Sequence, residues 1–188
     1  FIKRLGKAGA VKAVKNYIKK NIKRKIKELT REKLKSHAKR FANEADEIIG
    51  ILDDPWWLTA LELTPVVGDA VGIGRFAKQL DRVWDRIKSL ERKLDMVLDK
   101  IRRIKLVEAD NLNKFRTTAN NLAEQIAMKA AKSGQGRVAM TRLNDPRLHN
   151  MNVIKMQYTH TNPDGRKTVI HYFRDLDLKR DFAHKFKN

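Results

Sequence analysis

Leu80, Val83, Ile87, Leu90, Leu94, Val97, Ile101 and Ile104 are spaced 3-4-3-4-3-4-3, with Lys, Arg, Asp and Glu filling the positions between them. An apolar repeat of that period, sustained over about four heptads, predicts one long helix that buries its seam against another helix. The partner is either the chain's own N-terminal half or a second copy. Hydrophobic residues are 41% of the 188, enough for a core and too many for a disordered chain. Cysteine is absent, which excludes a disulfide scaffold and thiolate metal sites. No run of 18 uncharged apolar residues exists, which argues against a conventional transmembrane helix. The first residues lack the apolar region of a signal peptide, and the chain reads as beginning inside a longer polypeptide.

Before the seam, Ile18, Ile22 and Ile26 recur every four residues, and Leu34, Ala38, Phe41, Ala45, Ile48 and Ile49 continue an apolar stripe. The pattern predicts helices over about 12–50, with Thr30 capping the second and Gly50 ending it. Residues 54–74 are the most apolar stretch, interrupted by Glu62, Asp69, Pro65 and glycines, and read as a bent, buried helical hairpin. The seam helix is expected over 76–107. A last helix is expected over about 110–133, with Leu112, Phe115, Ala119, Leu122, Ile126 and Ala130 on one face and Ser133-Gly134-Gln135-Gly136 as its stop.

After this point the helical period disappears. Residues 153–161 and 166–174 are rich in β-branched and aromatic residues and flank Asn162-Pro163-Asp164-Gly165, a type I turn with glycine placed for a left-handed bulge. Residues 181–187 alternate and supply a third strand. The expected fold class is therefore α+β: a helical bundle or long-helix stalk over 1–107, then a small domain over 108–188 with a helix and an antiparallel sheet.

The formal charge is +20. Residues 1–40 hold 16 basic and 2 acidic residues, 41–107 hold 11 and 12, and 108–188 hold 15 and 8, so the two ends are basic and the middle is neutral. Such a balance favours acidic partners such as nucleic acid, anionic lipid or an acidic protein.

Candidate chemistry lies on the hairpin. If Asn162 opposes Arg166, opposing residue numbers sum to 328, so Lys155 faces Phe173, Gln157 faces His171 and Thr159 faces Val169 on one side of the sheet. Ile154, Met156, Tyr158, Ile170 and Tyr172 then form the core side. If Phe182 and Phe186 join that core, Asp181 and Lys185 share the open face with Lys155, Gln157, Thr159 and His171. A histidine with two lysines suits RNA cleavage without a metal. The reaction needs a base for the ribose 2′-OH, an acid for the 5′-oxygen and cations for the charge growing on the phosphate. The competing reading is that these strand residues are polar because they face solvent. His160, at the hairpin end, is a second proton-carrier candidate, and Arg147 and Arg174 are candidate phosphate ligands. Arg147 has the alternative of bracing its loop against Asp145. His184 is expected to pack with the two phenylalanines. No histidine pair has zinc-ligand spacing, and no metal or cofactor is expected.

Residues 61–70, Leu61-Glu62-Leu63-Thr64-Pro65-Val66-Val67-Gly68-Asp69-Ala70, resemble the pre-toxin region of bacterial polymorphic toxins, with Val71-Gly72 where that region usually carries Thr-Gly. Asp145-Pro146-Arg147, Lys155-Met156-Gln157-Tyr158, Val169-Ile170-His171-Tyr172, Asp181-Phe182 and Lys185-Phe186 are similar to the nuclease warheads at the tips of such toxins, in the superfamily of barnase, EndoU, colicin tRNases and RelE. The resemblance implies a secreted or surface-delivered antibacterial effector that cleaves RNA, tRNA among the candidates, in the cytoplasm of a target bacterium. It implies transient membrane contact during delivery and an acidic immunity protein that covers 108–188. It also supports Lys155, His171, Asp181 and Lys185 as site residues. Two other classes compete: a membrane-active toxin using the basic and apolar N-terminal helices, and a non-catalytic helical nucleic-acid binder resting on the basic N-terminus.

Overall fold

A computed structural model describes residues 2–54 and 68–187. Residues 55–67, which hold most of the apolar hairpin expected over 54–74 and of the pre-toxin-like residues 61–70, lie outside them, and residues 68–74 belong to the long helix that carries the seam. The chain is α+β and divides into two compact units, Phe1–Leu98 and Asp99–Asn188. That division falls before the expected boundary at 107, inside the seam helix. Among the described residues, no helix is long and apolar enough to cross a membrane.

The first unit is helical. Helix α1 (Ile2–Tyr17) is broken at Gly6, where φ is 66°, and continues through a π-helical turn (Ile18–Ile22) into α2 (Lys23–Arg31). Helix α3 spans Lys35–Asp53 and α4 spans Gly68–Lys114. Val14, Ile18, Ile22, Ile26 and Leu29 form one buried stripe, and Phe41, Ala45, Ile48 and Leu52 another. Neither expected terminus signal acts as one. Thr30 lies inside α2, with its hydroxyl donating to the Ile26 carbonyl (3.3 Å), and Gly50 lies inside α3. The break comes instead at Lys33, in the left-handed region (φ 63°), where the Leu34 N–H bonds back to the Leu29 carbonyl (3.0 Å). This is a Schellman closure, and both leucines it brings together are buried.

Along α4, Leu80, Val83, Ile87, Leu90 and Leu94 are buried as the seam predicts, but the next buried position is Leu98 and Val97 is only half-buried. The step of four after Leu94 breaks the strict heptad where the two units divide. Glu91 anchors the polar flank. Tyr17 donates to Oε2 (2.8 Å), Lys25 to Oε1 (3.1 Å) and Lys88 to Oε2 (3.1 Å). Burial pushes its carboxyl up, but the hydrogen bonds from Tyr17, Lys25 and Lys88 outweigh that and leave it at about 2.

In the second unit α4 continues to Lys114, and the single helix expected over 110–133 is two. The chain leaves helix at Phe115 and restarts as α5 (Leu122–Lys132). The restart is a reciprocal cap: Asn121 Oδ1 accepts the Glu124 N–H (2.9 Å), and Glu124 Oε2 accepts the Asn120 N–H (2.7 Å). Arg116 clasps the same carboxylate at 2.6 and 2.8 Å. The buried face is Ala127, Met128 and Ala131 rather than the one expected; Leu122 is 69% exposed and Ile126 46%. After the stop at Gly134 (φ 86°) come β1 (Arg137–Met140), which the sequence reading did not include, and a 3₁₀ turn (Pro146–Leu148). Strands β2 (Val153–Thr161), β3 (Lys167–Asp175) and β4 (Arg180–Phe186) complete an antiparallel sheet in the order β1-β2-β3-β4. Strands β2 and β3 pair in the expected register, Gln157 opposite His171. Gly165 takes the left-handed conformation (φ 80°) that the turn requires. Helix α5 packs on Met156, Ile170, Tyr172 and Phe186.

Leu94→Asp places an unpaired charge at a fully buried seam position and is expected to cost about 3–5 kcal/mol by chemical denaturation; unchanged stability would mean the seam is not packed. Glu91 has its pKa lowered from 4.5 to about 2, so its contribution is complete above pH 4.5 and is lost as pH falls toward 2. Glu91→Gln is therefore expected to cost about 2 kcal/mol at pH 7, after discount for solvent screening, with the gap to wild type closing across that window.

Candidate active site

Cross-strand pairing builds the site. Arg137 of β1 pairs with Gln157, Gln157 with His171, and His171 with Lys185 of β4. Directly paired residues share a face, so one row across four strands carries an arginine, a glutamine, a histidine and a lysine on the side away from α5. Lys155 stands two residues from Gln157 on the same face, opposite Phe173. Lys187 follows β4, its N–H bonded to the Val169 carbonyl (2.9 Å).

The histidine is held by a polar chain. Gln157 donates its amide nitrogen to the Thr159 hydroxyl (3.4 Å), so its oxygen accepts the N–H of His171 Nε2 (3.1 Å). In the neutral ring the lone pair is then on Nδ1. Burial, then the positive charges of Lys155, Lys187 and Lys185, push His171 down to about 4. Burial and Lys155 also push Lys185 below the ordinary lysine range, against a smaller opposing effect from Asp110. The Lys185 ammonium lies over the Phe115 ring, 3.2 Å from its centroid. A neutral histidine beside an ammonium of increased acidity can accept one proton and supply another, and the remaining cations favour an anion between them.

Asp181 does not share this face. A β-bulge in β4 at Ala183 (φ 54°) inserts one residue opposite the His171–Phe173 segment, so Asp181 pairs with Arg174 on the side of α5. The two side chains form a fork of 2.7 and 2.9 Å, and Arg174 also donates to the Gly134 carbonyl (2.9 Å). Arg174 is thereby committed to tying α5's end to the sheet. The same bulge separates the phenylalanines: Phe186 joins the α5 core, and Phe182 turns to the other face against Phe173, ring centroids 5.5 Å apart. His184 stacks on Tyr172 instead (4.8 Å). His160 pairs with Thr168 and falls on the face opposite His171. Arg147 braces its turn, bonding Asp145 at 2.6–3.2 Å and Asp110 at 3.2 Å. The hydrogen bonds it donates to the Asp145 carboxylate hold its guanidinium firmly protonated.

Of the residues expected at the site, the structure therefore brings together His171, Lys155, Lys185, Gln157 and Thr159. It separates Asp181, His160, Arg147 and Arg174 from them. It adds Arg137 and Lys187. A signal for Arg137 existed, since Val138-Ala139-Met140 is a short apolar run after the Gly134-Gln135-Gly136 breaker. Among the described residues, no group of three His, Asp or Glu side chains is placed to hold a metal ion.

Beside the row lies an open groove of about 640 Å³, lined in part by Gly136, Arg137, Gln157, Thr159, Lys167 and Val169. Gly136 has φ 144°, and a Cβ there would stand 2.8 Å from the Gln157 carbonyl oxygen and 3.1 Å from the Tyr172 hydroxyl. Gly136→Ala is expected to cost about 2 kcal/mol through strain and displaced β1 pairing. A proton titration followed by NMR is expected to place the His171 midpoint near 4, to move it upward in Lys155→Ala, and to leave it in place in Asp181→Asn. A midpoint that followed Asp181 would overturn the face assignment. No family model, curated protein or solved structure matches this chain.

Proposed function

We propose that this chain is an RNA-cleaving toxin effector whose second unit carries out metal-independent acid–base cleavage. The observation that supports it is the row Arg137–Gln157–His171–Lys185 flanked by Lys155. In this reading His171 Nδ1 takes the proton of a ribose 2′-OH. The 2′-oxygen attacks phosphorus, the P–O5′ bond breaks, and the 5′-oxygen takes its proton from Lys185. The products are a 2′,3′-cyclic phosphate and a 5′-hydroxyl. Lys155 and Arg137 hold the non-bridging oxygens as charge builds on them. A bound phosphate also offsets the lysine charges that depress His171, so its basicity rises when substrate is present. Several cations around one histidine repel a divalent metal, which agrees with a mechanism that uses none.

The same cluster favours an acidic protein as inhibitor, since a carboxylate-rich surface mimics the phosphates. The order of motifs shared with toxin warheads makes a cognate immunity protein the expected form of it. Export on a larger polypeptide and action in the cytoplasm of a competitor follow from the same resemblance.

His171→Ala is expected to lower cleavage by about 10²–10⁴. Lys155→Ala is expected to lose about 3–4 kcal/mol of transition-state stabilisation. Product ends should be cyclic phosphates, and EDTA should leave the rate unchanged. The acid limb of kcat/KM should rise through a pH near 4, where His171 loses its proton in the free protein, and the alkaline limb should fall below the ordinary lysine range as Lys185 deprotonates. Full activity of folded His171→Ala would overturn the site, and loss of activity in EDTA would overturn the mechanism.

A further inference from the structure

The row has two different ends. At β1 it opens into the groove, where Arg137 and Lys167 are exposed and Thr159 and Val169 share the face of His171. At β4 it ends on Phe115, in the non-helical segment between α4 and α5. This ring is 38% exposed and already has the Lys185 ammonium over it. Three strand gaps of about 4.8 Å separate Arg137 from Lys185, about 14 Å in all. That length exceeds one nucleotide and is far short of a duplex turn of about 34 Å. The cations therefore match a short stretch of backbone crossing the strands, with a pocket on one side of the reacting phosphate and an aromatic platform on the other.

We infer that the row is the track of a single-stranded RNA segment, with one nucleoside seated in the groove beside Arg137 and the base across the reacting phosphate stacked on the face of Phe115 away from Lys185. Two observations favour a single strand over a duplex. An aromatic platform holds a base only when that base has left its stack. The groove is large enough for one nucleoside and within the usual range of small-ligand pockets. Arg137 and Phe115 thus set the substrate class, and the inference rests on the RNA-cleaving reading.

The test is fluorescence anisotropy with the full chain carrying His171→Ala and a single-stranded 2′-deoxy octanucleotide, which resists 2′-OH chemistry. Phe115→Leu in that background is expected to weaken binding about tenfold, as the loss of one stacked base does, and Phe115→Tyr should restore it. Arg137→Gln should weaken binding and reduce the salt slope by about one. The duplex form should bind at least about tenfold more weakly. With an octanucleotide made abasic throughout, the Phe115→Leu effect should disappear, which a purely structural role of Phe115 in positioning Lys185 would not produce. Equal affinity for single strand and duplex, or a Phe115→Leu loss that persists on the abasic strand, overturns the inference. If the wild-type chain cleaves RNA but neither variant alters binding, the track is wrong and the cleavage reading stands. If the wild type cleaves nothing while binding depends on Phe115 and Arg137 as described, the track stands and the cleavage reading falls.

Discussion

The bulge at Ala183 is the constraint on which the functional face depends. With regular pairing continued from Phe182 opposite Phe173, Lys185 would lie across from Ile170 and its ammonium would be directed into the α5 core. The extra residue lets one short strand place Phe182 against Phe173, Lys185 beside His171 and Phe186 back in the core. A bulge leaves backbone groups outside the ladder, and here one has a partner: Asn111, buried near the end of α4, donates its side-chain N–H to the Ala183 carbonyl (2.9 Å). The last turns of α4 thus hold the irregularity that brings a histidine and a lysine into one pair.

Charge segregation does the rest. Carboxylates of the second unit are engaged by cations outside the row: Asp181 with Arg174, Asp145 and Asp110 with Arg147, Glu124 with Arg116, and Asp177 with Lys100, Asp110 being near enough to offset a little of the depression of Lys185. Among the described residues, no carboxylate forms an ion pair with Arg137, Lys155, Lys185 or Lys187. The acidic side chains stabilise the scaffold and the unneutralised cations collect on one face. A unit with the same composition but exchanged partners would present no net field there.

How far this was legible follows from where the information resides. The β2–β3 register was readable because a turn with its glycine in place and an alternating pattern both fix the side-chain phase. The seam was readable at each of its positions but Val97 for the same reason: periodicity is a local property. Asp181 was not, because alternation across β4 assumes a regular strand, and the bulge at Ala183 depends on a tertiary partner, Asn111, far away in sequence. The split of the 110–133 helix was partly visible in Asn121-x-x-Glu124, a capping pair that an apolar stripe running through it obscured. For Arg147 the nearby Asp145 offered the loop brace that the structure shows, whereas Arg174 had no such neighbour in sequence, and charge alone cannot tell an arginine that binds a ligand from one that ties a helix end to a sheet.

The row is costly in isolation. Lys155, Lys185 and Lys187 repel a charge on His171, Lys155 also repels Lys185, and burial together with that repulsion holds the imidazole neutral. On the same face the Lys185–Phe115 contact and the smaller effect of Asp110 do not repay that cost in full. The opposite face does, through Met156, Ile170, Tyr172 and Phe186 packed on α5, and through the Arg174–Asp181 fork that ties the helix end to the sheet. Local conflict tolerated on one side of an otherwise consistent element is the pattern expected where a face is kept for an anion. An anion seated on the row would relieve the repulsion that the fold otherwise has to absorb.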